Sequence, residues 1–301
     1  MRGVTIVRRA IFCAATIVCI AGSVMAQSSI EDALKQYTGP QAEGYMQPFA
    51  DLAGGNLNSG WYHTASIGQM GFFIEFDFVV MGGMVGDDQK SYDLPLPSGY
   101  SAATMKAPTI FGDAAGTTYR DPVSGLTYIA SGGVINTSIL PALAPQLTIG
   151  NVLGTRAMIR FLATPKIEDI DVDLLGLGLQ HSVSQWFPGI PLDVAAGVFY
   201  TKASVGDIID YSGLAIGAQA SKEFGIATVY GGFQWEQATM DIKYTYTGSA
   251  PGSSQVNISL DAESAVRATV GGSLSLGVFK LFADVNVGAV TVFSGGFGFG
   301  M

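Results

Sequence analysis

The sequence predicts an all-β protein: a transmembrane antiparallel β-barrel of about ten strands, with roughly 8 to 14 compatible with the pattern, and a short N-terminal helical plug. Apolar and polar residues alternate over long runs, and only 13% of the residues are charged, against about 25% in soluble domains. After residue 26 there is no apolar run of about 18 residues that would make a membrane helix. The alternation alone also fits a soluble sheet, but a closed barrel explains all three observations.

The N-terminal residues 1–26 have the features of a secretory signal peptide. Arg2, Arg8 and Arg9 form a basic region, and residues 10–24 are apolar but too few to span a bilayer comfortably. Small residues before Ala26 fit a cleavage site there. We therefore expect export and a location in the bacterial outer membrane.

The composition of the mature chain excludes several classes of function. Both cysteines, Cys13 and Cys19, lie in the expected signal peptide, so thiol catalysis and cysteine-ligated metals are excluded. Loss of the three N-terminal arginines lowers the net charge from −9 to −12. Because phosphate binding requires a basic surface, nucleic acid is not an expected partner.

Residues 27–66 do not alternate and are expected to form the plug. Ser28 or Ser29 is a candidate N-cap, and the helix that follows is expected to stop near Gly39. A second helical stretch is expected over 42–53, before a glycine-rich turn. The segment is too short for a core of its own, so we expect it either inside the barrel or in the periplasm.

Residues 67–301 are expected to form the barrel, with polar side chains pointing into the lumen. In the first strand the aromatic positions face lipid, and Glu75 and Asp77 face inward. The same alternation defines strands from residue 146 to the C-terminus. The inward-facing charged residues are Glu75, Asp77, Arg156, Arg160, Lys280 and Asp284. They either form a constriction that selects solutes or satisfy one another as lumen ion pairs.

Residues 86–145 are rich in Pro, Gly and Ser and are expected to form a long irregular loop with one hairpin around residues 121–125. Long loops of bacterial barrels are extracellular. Trp61 and Tyr62 are expected at a membrane interface, where barrels carry aromatic girdles. Four glycines are candidates for strand kinks that open the wall: Gly176, Gly178, Gly213 and Gly217.

The mature chain shows no enzyme or cofactor motif. His63 and His181 are the only histidines, and neither belongs to a zinc-binding motif. His181 precedes Ser182, but neighbouring strand residues point to opposite faces, so the two cannot form a nucleophile–base pair directly. We expect no cofactor and no metal, and keep a membrane-embedded hydrolase as the least favoured hypothesis.

Several segments resemble known barrel families. The alternating strands and the C-terminal residues 297–301 (FGFGM) resemble bacterial outer-membrane barrels, which implies outer-membrane lipids and the barrel-assembly machinery as partners. A largely uncharacterised barrel family is similar over residues 145–150 (PQLTIG), 154–161 (GTRAMIRF), 178–189 (GLQHSVSQWFPG) and 282–286 (FADVN).

That family distantly resembles the long-chain fatty-acid transporters, whose N-terminal hatch lies inside the barrel. The resemblance implies a plugged channel for small hydrophobic compounds, with a hydrophobic ligand. Residues 56–58 (NLN) are loosely similar to the hatch segment. The plug candidates are Asp51, Asn56 and Asn58. A structural or adhesive barrel without transport is the alternative.

Overall fold

The structure is a computed structural model that describes residues 30–166, 171–187, 189–247, 254–263 and 266–301. The expected signal peptide, residues 1–26, and the expected N-cap, Ser28 or Ser29, lie outside these residues. Within the described part of the chain, no helix is both long enough and apolar enough to cross a membrane.

The described residues contain a helical stretch over 30–34, one longer helix and fifteen strands. Helix α1 spans Gly39–Leu57, and short 3-10 helices span Asp87–Lys90 and Ser184–Trp186. The strands are β1 (Phe73–Met84), β2 (Ser91–Pro95), β3 (Thr104–Pro108), β4 (Thr117–Arg120), β5 (Thr127–Ala130), β6 (Ile139–Val152), β7 (Thr155–Ala163), β8 (Val172–Ser182), β9 (Asp193–Val205), β10 (Ile209–Phe224), β11 (Ala227–Tyr246), β12 (Ser254–Asp261), β13 (Val266–Leu276), β14 (Phe279–Val287) and β15 (Thr291–Gly300).

Ten of the described strands close into an antiparallel barrel, as the sequence predicts. Around the wall the order is β1, β6, β7, β8, β9, β10, β11, β13, β14 and β15, and β15 pairs with β1 to complete the ring. Strand β12 continues the line of β13, because β11 pairs with β12 over residues 239–246 and with β13 over 227–235. The described pairing with β11 therefore ends at Asp261 and resumes at Val266.

The alternation places apolar side chains outside and polar side chains inside. In β8, Leu175, Leu177 and Leu179 are exposed on the outer face, while Gln180 is buried. In β14, Leu281 and its outward neighbours are likewise exposed. An outer face of this kind is the lipid-facing band of a membrane barrel.

The two ends of the barrel differ, and one of them departs from the sequence-based expectation. At the turn end, wall strands are joined by short connections such as 153–154, 225–226 and 277–278. At the loop end, residues 85–138 join β1 to β6 and contain two hairpins, β2–β3 and β4–β5, rather than the single hairpin expected. Strand β6 begins at Ile139, inside the expected loop of residues 86–145, because Pro141 and Pro145 are accommodated within the strand.

At the loop end the polarity of the wall reverses. In the loop-end halves of β10 and β11, the inward residues are apolar, such as Tyr211 and Ile242, and the outward residues are charged. Outside, Lys243 donates to Asp210 across the two strands at 2.9 Å. These strands of 16 and 20 residues exceed the roughly 9–11 that a membrane requires. Their loop-end parts therefore have the polarity of a water-soluble barrel.

The apolar interior at the loop end is filled by residues 30–57 and by the connection 85–138. We call this assembly the cap. Helix α1 begins after Thr38, whose backbone N–H donates to the side chain of Gln41 at 3.0 Å. As expected, the first helical stretch ends before Gly39: residues 30–34 are helical, and the N–H of Tyr37 donates to the carbonyl of Leu34 at 2.9 Å in the turn that follows. The second helix, expected over 42–53, is longer at both ends, because Gly39 and Pro40 already belong to it and Pro favours a first turn. The cap core contains Tyr45, Leu52 and Ile242 among many others.

Candidate functional site in the barrel lumen

Residues 58–67, the lumen segment, run inside the ring of strands from the loop end to the turn end. At its start, Asn58 accepts a hydrogen bond on its carbonyl from Gln234. Further along, Ala65 donates its N–H to Ser221 of β10 at 2.9 Å. Beyond the segment, the turn-end residue Leu153 donates to the carbonyl of Gln69 at 2.9 Å. The chain then turns and begins β1.

Wall side chains hold the backbone of this segment from several directions. Gln146 of β6 donates to the carbonyl of Trp61 at 3.2 Å, and Gln180 of β8 donates to that of Thr64 at 3.1 Å. Arg156 of β7 donates to the carbonyl of Ser66. These bonds provide the partners that the irregular backbone would otherwise lack in a water-poor lumen.

Arg160 makes the most extensive of these contacts. Its side chain is completely buried. It donates to the carbonyls of Leu57 at 3.2 Å and Ser59 at 2.9 Å, and to Gln146 Oε1 at 2.9 Å. The guanidinium also lies 3.9 Å from the centroid of the Trp61 ring. A planar cation with five donors suits this combination of carbonyls and an aromatic face.

Trp61 occupies space that wall glycines provide. A Cβ on Gly176 would lie 2.7 Å from Trp61 Cη2, and one on Gly178 would lie 3.3 Å from Trp61 Cε3. The ring stacks on the inward-facing Phe199, with centroids 5.1 Å apart. The expectation of a membrane-interface position for Trp61 and Tyr62 is therefore wrong, since both are buried in the lumen.

The glycines also do not open the wall. Gly176 and Gly178 pair in register with β7, and Gly213 and Gly217 pair with both neighbours of β10. Continuous pairing removes the proposed wall opening at these four positions. At the first two, the absence of a side chain makes room for the indole of Trp61.

Glu75 and Lys280 of the wall form an ion pair, and His63 of the lumen segment contacts it. Lys280 Nζ lies 2.6 Å from Glu75 Oε2, and His63 Nε2 lies 2.7 Å from Glu75 Oε1. His63 stacks on Phe282, with ring centroids 4.6 Å apart. Asp77 lies on the same wall strand, is completely buried and has no hydrogen-bond partner among the described residues.

The predicted lumen charges all point inward, but they do not simply neutralise one another. Only Glu75 and Lys280 pair as expected. Arg156 and Arg160 bind backbone carbonyls instead of carboxylates, because the lumen segment lies between them and the opposite wall. Asp284 accepts from the hydroxyl of Tyr230 at 2.9 Å and from two further side chains of the wall.

A further buried ion pair, between β13 and β11, is not among the predicted lumen charges. Arg267 Nη2 lies 2.7 Å from Glu236 Oε1, and Arg267 Nη1 donates to the hydroxyl of Ser59. Both side chains occupy inward positions of their strands, so the alternation alone could have identified them. His63 carried no such signal, because its position depends on the course of an irregular segment.

The three plug candidates lie where α1 meets the lumen. Asp51 accepts from the backbone N–H of Glu263, and burial raises the pKa of its carboxyl above the usual range. Asn56 donates to the carbonyl of Leu140 at 2.8 Å. The side chain of Asn58 is buried, and its polar atoms lack a partner within the described residues.

A small cleft adjoins these residues at the break between β12 and β13. Its lining includes Asp51, Asn58, Glu236 and Ala262. The wall is pinned there by the N–H of Ala262, which donates to the carbonyl of Ala238 at 2.9 Å. The cleft also reaches Asn58, the first residue of the lumen segment.

His181 has no arrangement that would support hydrolysis. Its Nδ1 lies 2.8 Å from the hydroxyl of Thr155, and its Nε2 lies 2.8 Å from the amide of Gln185. In the described chain, no Ser or Asp is hydrogen-bonded to this ring, so a general base oriented by a carboxylate is not formed. The contacts tie the end of β8 to its neighbours.

A profile of DUF6588, described as a family of unknown function, matches residues 5–301. The search of curated proteins gave no match. Pseudomonas aeruginosa OccK2 (OpdF) is similar at 8% identity, covering 76% of this chain and 96% of that chain, with a TM-score of 0.16. A mutant of Rh. blastica porin is similar at 12% identity, covering 76% and 100%, with a TM-score of 0.14. Similarity at these TM-scores carries no argument about function, and the resemblance to fatty-acid transporters stays a prediction.

Proposed function

The chain belongs to the DUF6588 family of unknown function, and we propose that it is an outer-membrane channel that its own N-terminal segment closes and that admits small hydrophobic compounds. The observation that carries the proposal is the lumen segment, which is hydrogen-bonded to β6, β7, β8, β10, β11 and β13. A barrel whose interior is bonded to its own chain from most sides is closed to free diffusion of solutes.

The apolar outer band supports the membrane location. Side chains such as Leu177, Phe233 and Val270 are exposed on the outer face, where water would make a broad apolar surface unfavourable. Lipid removes that cost. The short connections then face the periplasm and the cap faces the outside, following the rule for bacterial barrels.

The cap and the cleft support hydrophobic cargo. The cap interior is packed with apolar and aromatic side chains, including Tyr37, Tyr45 and Leu94. The cleft lies where α1 meets the wall, and its lining includes Gly54, Ala238 and Ala262. A hydrophobic compound that bound between α1 and these wall residues would not have to cross the polar lumen.

A reversible disulfide tests whether residues near the cleft must move. A Cβ built on Gly54 of α1 would lie 3.3 Å from Cβ of Ala238, near the 3.5–4.5 Å or so of a disulfide. The variant Gly54→Cys/Ala238→Cys would join α1 to β11 in a mature chain that has no other cysteine. Each single variant, under oxidising and reducing conditions, is the matched control.

The readout is uptake of a fluorescent hydrophobic probe by whole cells with an intact outer membrane. We expect the oxidised pair to lose the protein-dependent uptake and a reductant to restore it. If cells with and without the wild-type protein take up the probe equally, hydrophobic cargo is wrong. If the oxidised pair takes it up at the wild-type rate, movement of α1 at the cleft is not required.

An adhesive or structural barrel is the second candidate, and one observation favours it. The β4–β5 hairpin exposes apolar side chains: Val123 is 81% and Ile129 is 68% exposed. Exposed apolar residues on an outward loop are typical of a contact surface. Replacing both by Ser should abolish surface attachment without changing probe uptake if this candidate is correct, whereas unchanged attachment would contradict it.

A further inference from the structure

We propose that His63, Glu75 and Asp77 bind a divalent transition-metal ion that joins the lumen segment to the barrel wall. One nitrogen and two carboxylate oxygens of these residues all lie within 4.8 Å of one another, and all three side chains are buried. Glu75 and Asp77 point inward from the same face of β1, and His63 comes from the segment opposite them.

The unpartnered carboxylate of Asp77 is independent evidence for a bound cation. It is completely buried, and neither carboxylate oxygen has a hydrogen-bond partner among the described residues. An ionised carboxylate is unfavourable in such a place unless it is paired or coordinates a metal. The facing residue Gly298 leaves room for the Asp77 carboxylate, because a Cβ at that position would overlap it. By contrast, the buried carboxylate of Asp284 accepts three side-chain hydrogen bonds.

The positions of the donors suit a small cation. Ligands of Zn²⁺ lie about 2.0–2.2 Å from the ion, so the present separations require only small movements of the side chains. Lys280 Nζ already faces Glu75 at 2.6 Å and His63 Nε2 at 3.4 Å. The Glu75 carboxylate therefore binds a cationic group in this structure and also accepts the Nε2–H of His63 at 2.7 Å. A metal ion would take the place of the ammonium and of the Nε2 proton, and would recruit Asp77.

The donor types define the class of ion. One imidazole and two carboxylates are ligands that first-row divalent ions such as Zn²⁺ and Mn²⁺ accept, and three protein ligands leave a position for water. The absence of closely spaced histidines in the sequence predicts no metal site. Here the ligands come from two segments that only the fold brings together. Metal binding would stabilise the closed lumen, independently of what the channel admits.

The test is equilibrium dialysis of the chelator-treated mature protein, which lacks Cys13 and Cys19, in detergent against Zn²⁺, with the bound metal measured by elemental analysis. We expect saturable binding of one ion per chain. Asp77→Asn and His63→Gln should each weaken Zn²⁺ binding about tenfold or more, because each removes a side-chain group that would hold the ion. Lys280→Met should strengthen it, because the competing ammonium is gone. Zn²⁺ should also raise the unfolding midpoint of the wild type more than that of Asp77→Asn.

Asp284→Asn and His181→Gln are the matched controls and should bind Zn²⁺ as the wild type does. The proposal is overturned if the wild type shows no saturable binding, or if Asp77→Asn binds with wild-type affinity. Equal loss in Asp284→Asn would also overturn it, since binding would then reflect general lumen charge. Asn has nearly the shape of Asp, so Asp77→Asn remains informative even if the histidine variant does not fold.

Discussion

Replacement of Arg160 by Met removes the most connected tie between the wall and the lumen segment. Met has a similar length and apolar character but donates no hydrogen bond. The change leaves the carbonyls of Leu57 and Ser59 without the donors that they have at 3.2 and 2.9 Å. It also removes the contact between the guanidinium and the Trp61 ring at 3.9 Å.

The expected loss of unfolding free energy follows from these contacts. Three hydrogen bonds to a charged donor, at about 1.5 kcal/mol each, give roughly 4–5 kcal/mol. Because Met avoids the cost of burying a guanidinium, we expect a net loss of about 3 kcal/mol. The measurement is reversible chemical unfolding of the refolded barrel, with Arg120→Met, at an exposed loop-end arginine, as the control. A loss within about 0.5 kcal/mol of the control, the range of ordinary surface substitutions, would refute the reasoning.

Three further predictions concern the wall, the lipid face and the cap. Gly176→Ala should destabilise the barrel by about 1–3 kcal/mol, because its Cβ would lie 2.7 Å from Trp61; equilibrium unfolding measures this. Leu177→Lys should lower stability in lipid by about 2–4 kcal/mol, measured by unfolding from vesicles, because the side chain faces outward. The backbone N–H of Ser124 is the main cause that lowers the pKa of Asp121. The stability that the Asp121 carboxylate contributes to the hairpin is therefore fully present above the unfolded pKa of about 3.9. It is lost as the pH falls through the lower folded pKa. Limited acid proteolysis of the hairpin should show this loss, and Asp121→Asn should abolish it.

Each of these predictions has a control and a contradictory outcome. Gly272→Ala places a Cβ 3.5 Å from its nearest neighbour, the carbonyl oxygen of Thr228, and should be tolerated far better than Gly176→Ala. Equal effects of the two would contradict the fit of Trp61. A Leu177→Lys variant as stable as the wild type in vesicles would contradict the lipid-facing band. A hairpin equally resistant to proteolysis at neutral and acid pH would contradict the role of Asp121.

The period-two alternation was sufficient to predict the barrel and the direction of its side chains. Arg156 and Asp284 point inward because successive strand residues must face opposite sides. The same rule misled at the loop end, where Tyr244 is buried beneath the cap and donates to the carbonyl of Tyr37. There the surface faces water outside and protein inside, so the meaning of the alternation reverses.

The contacts of the lumen segment could not be predicted in this way. Its position depends on tertiary packing, which no local periodicity records. Gly176 was a candidate kink from the sequence, but its function became clear only when the indole of Trp61 was found against it. His63 likewise acquired partners only through the fold, 12 residues before Glu75 in the chain.

Single-channel recording of the full-length wild-type protein in planar bilayers tests the closed lumen most directly. The bonds from the wall to residues 58–67 predict a membrane-inserted protein without a sustained open conductance, and brief openings that become more frequent in Arg160→Met. Stable, open channels of the wild-type protein at low voltage would contradict the account, because ions would then pass where the lumen segment lies.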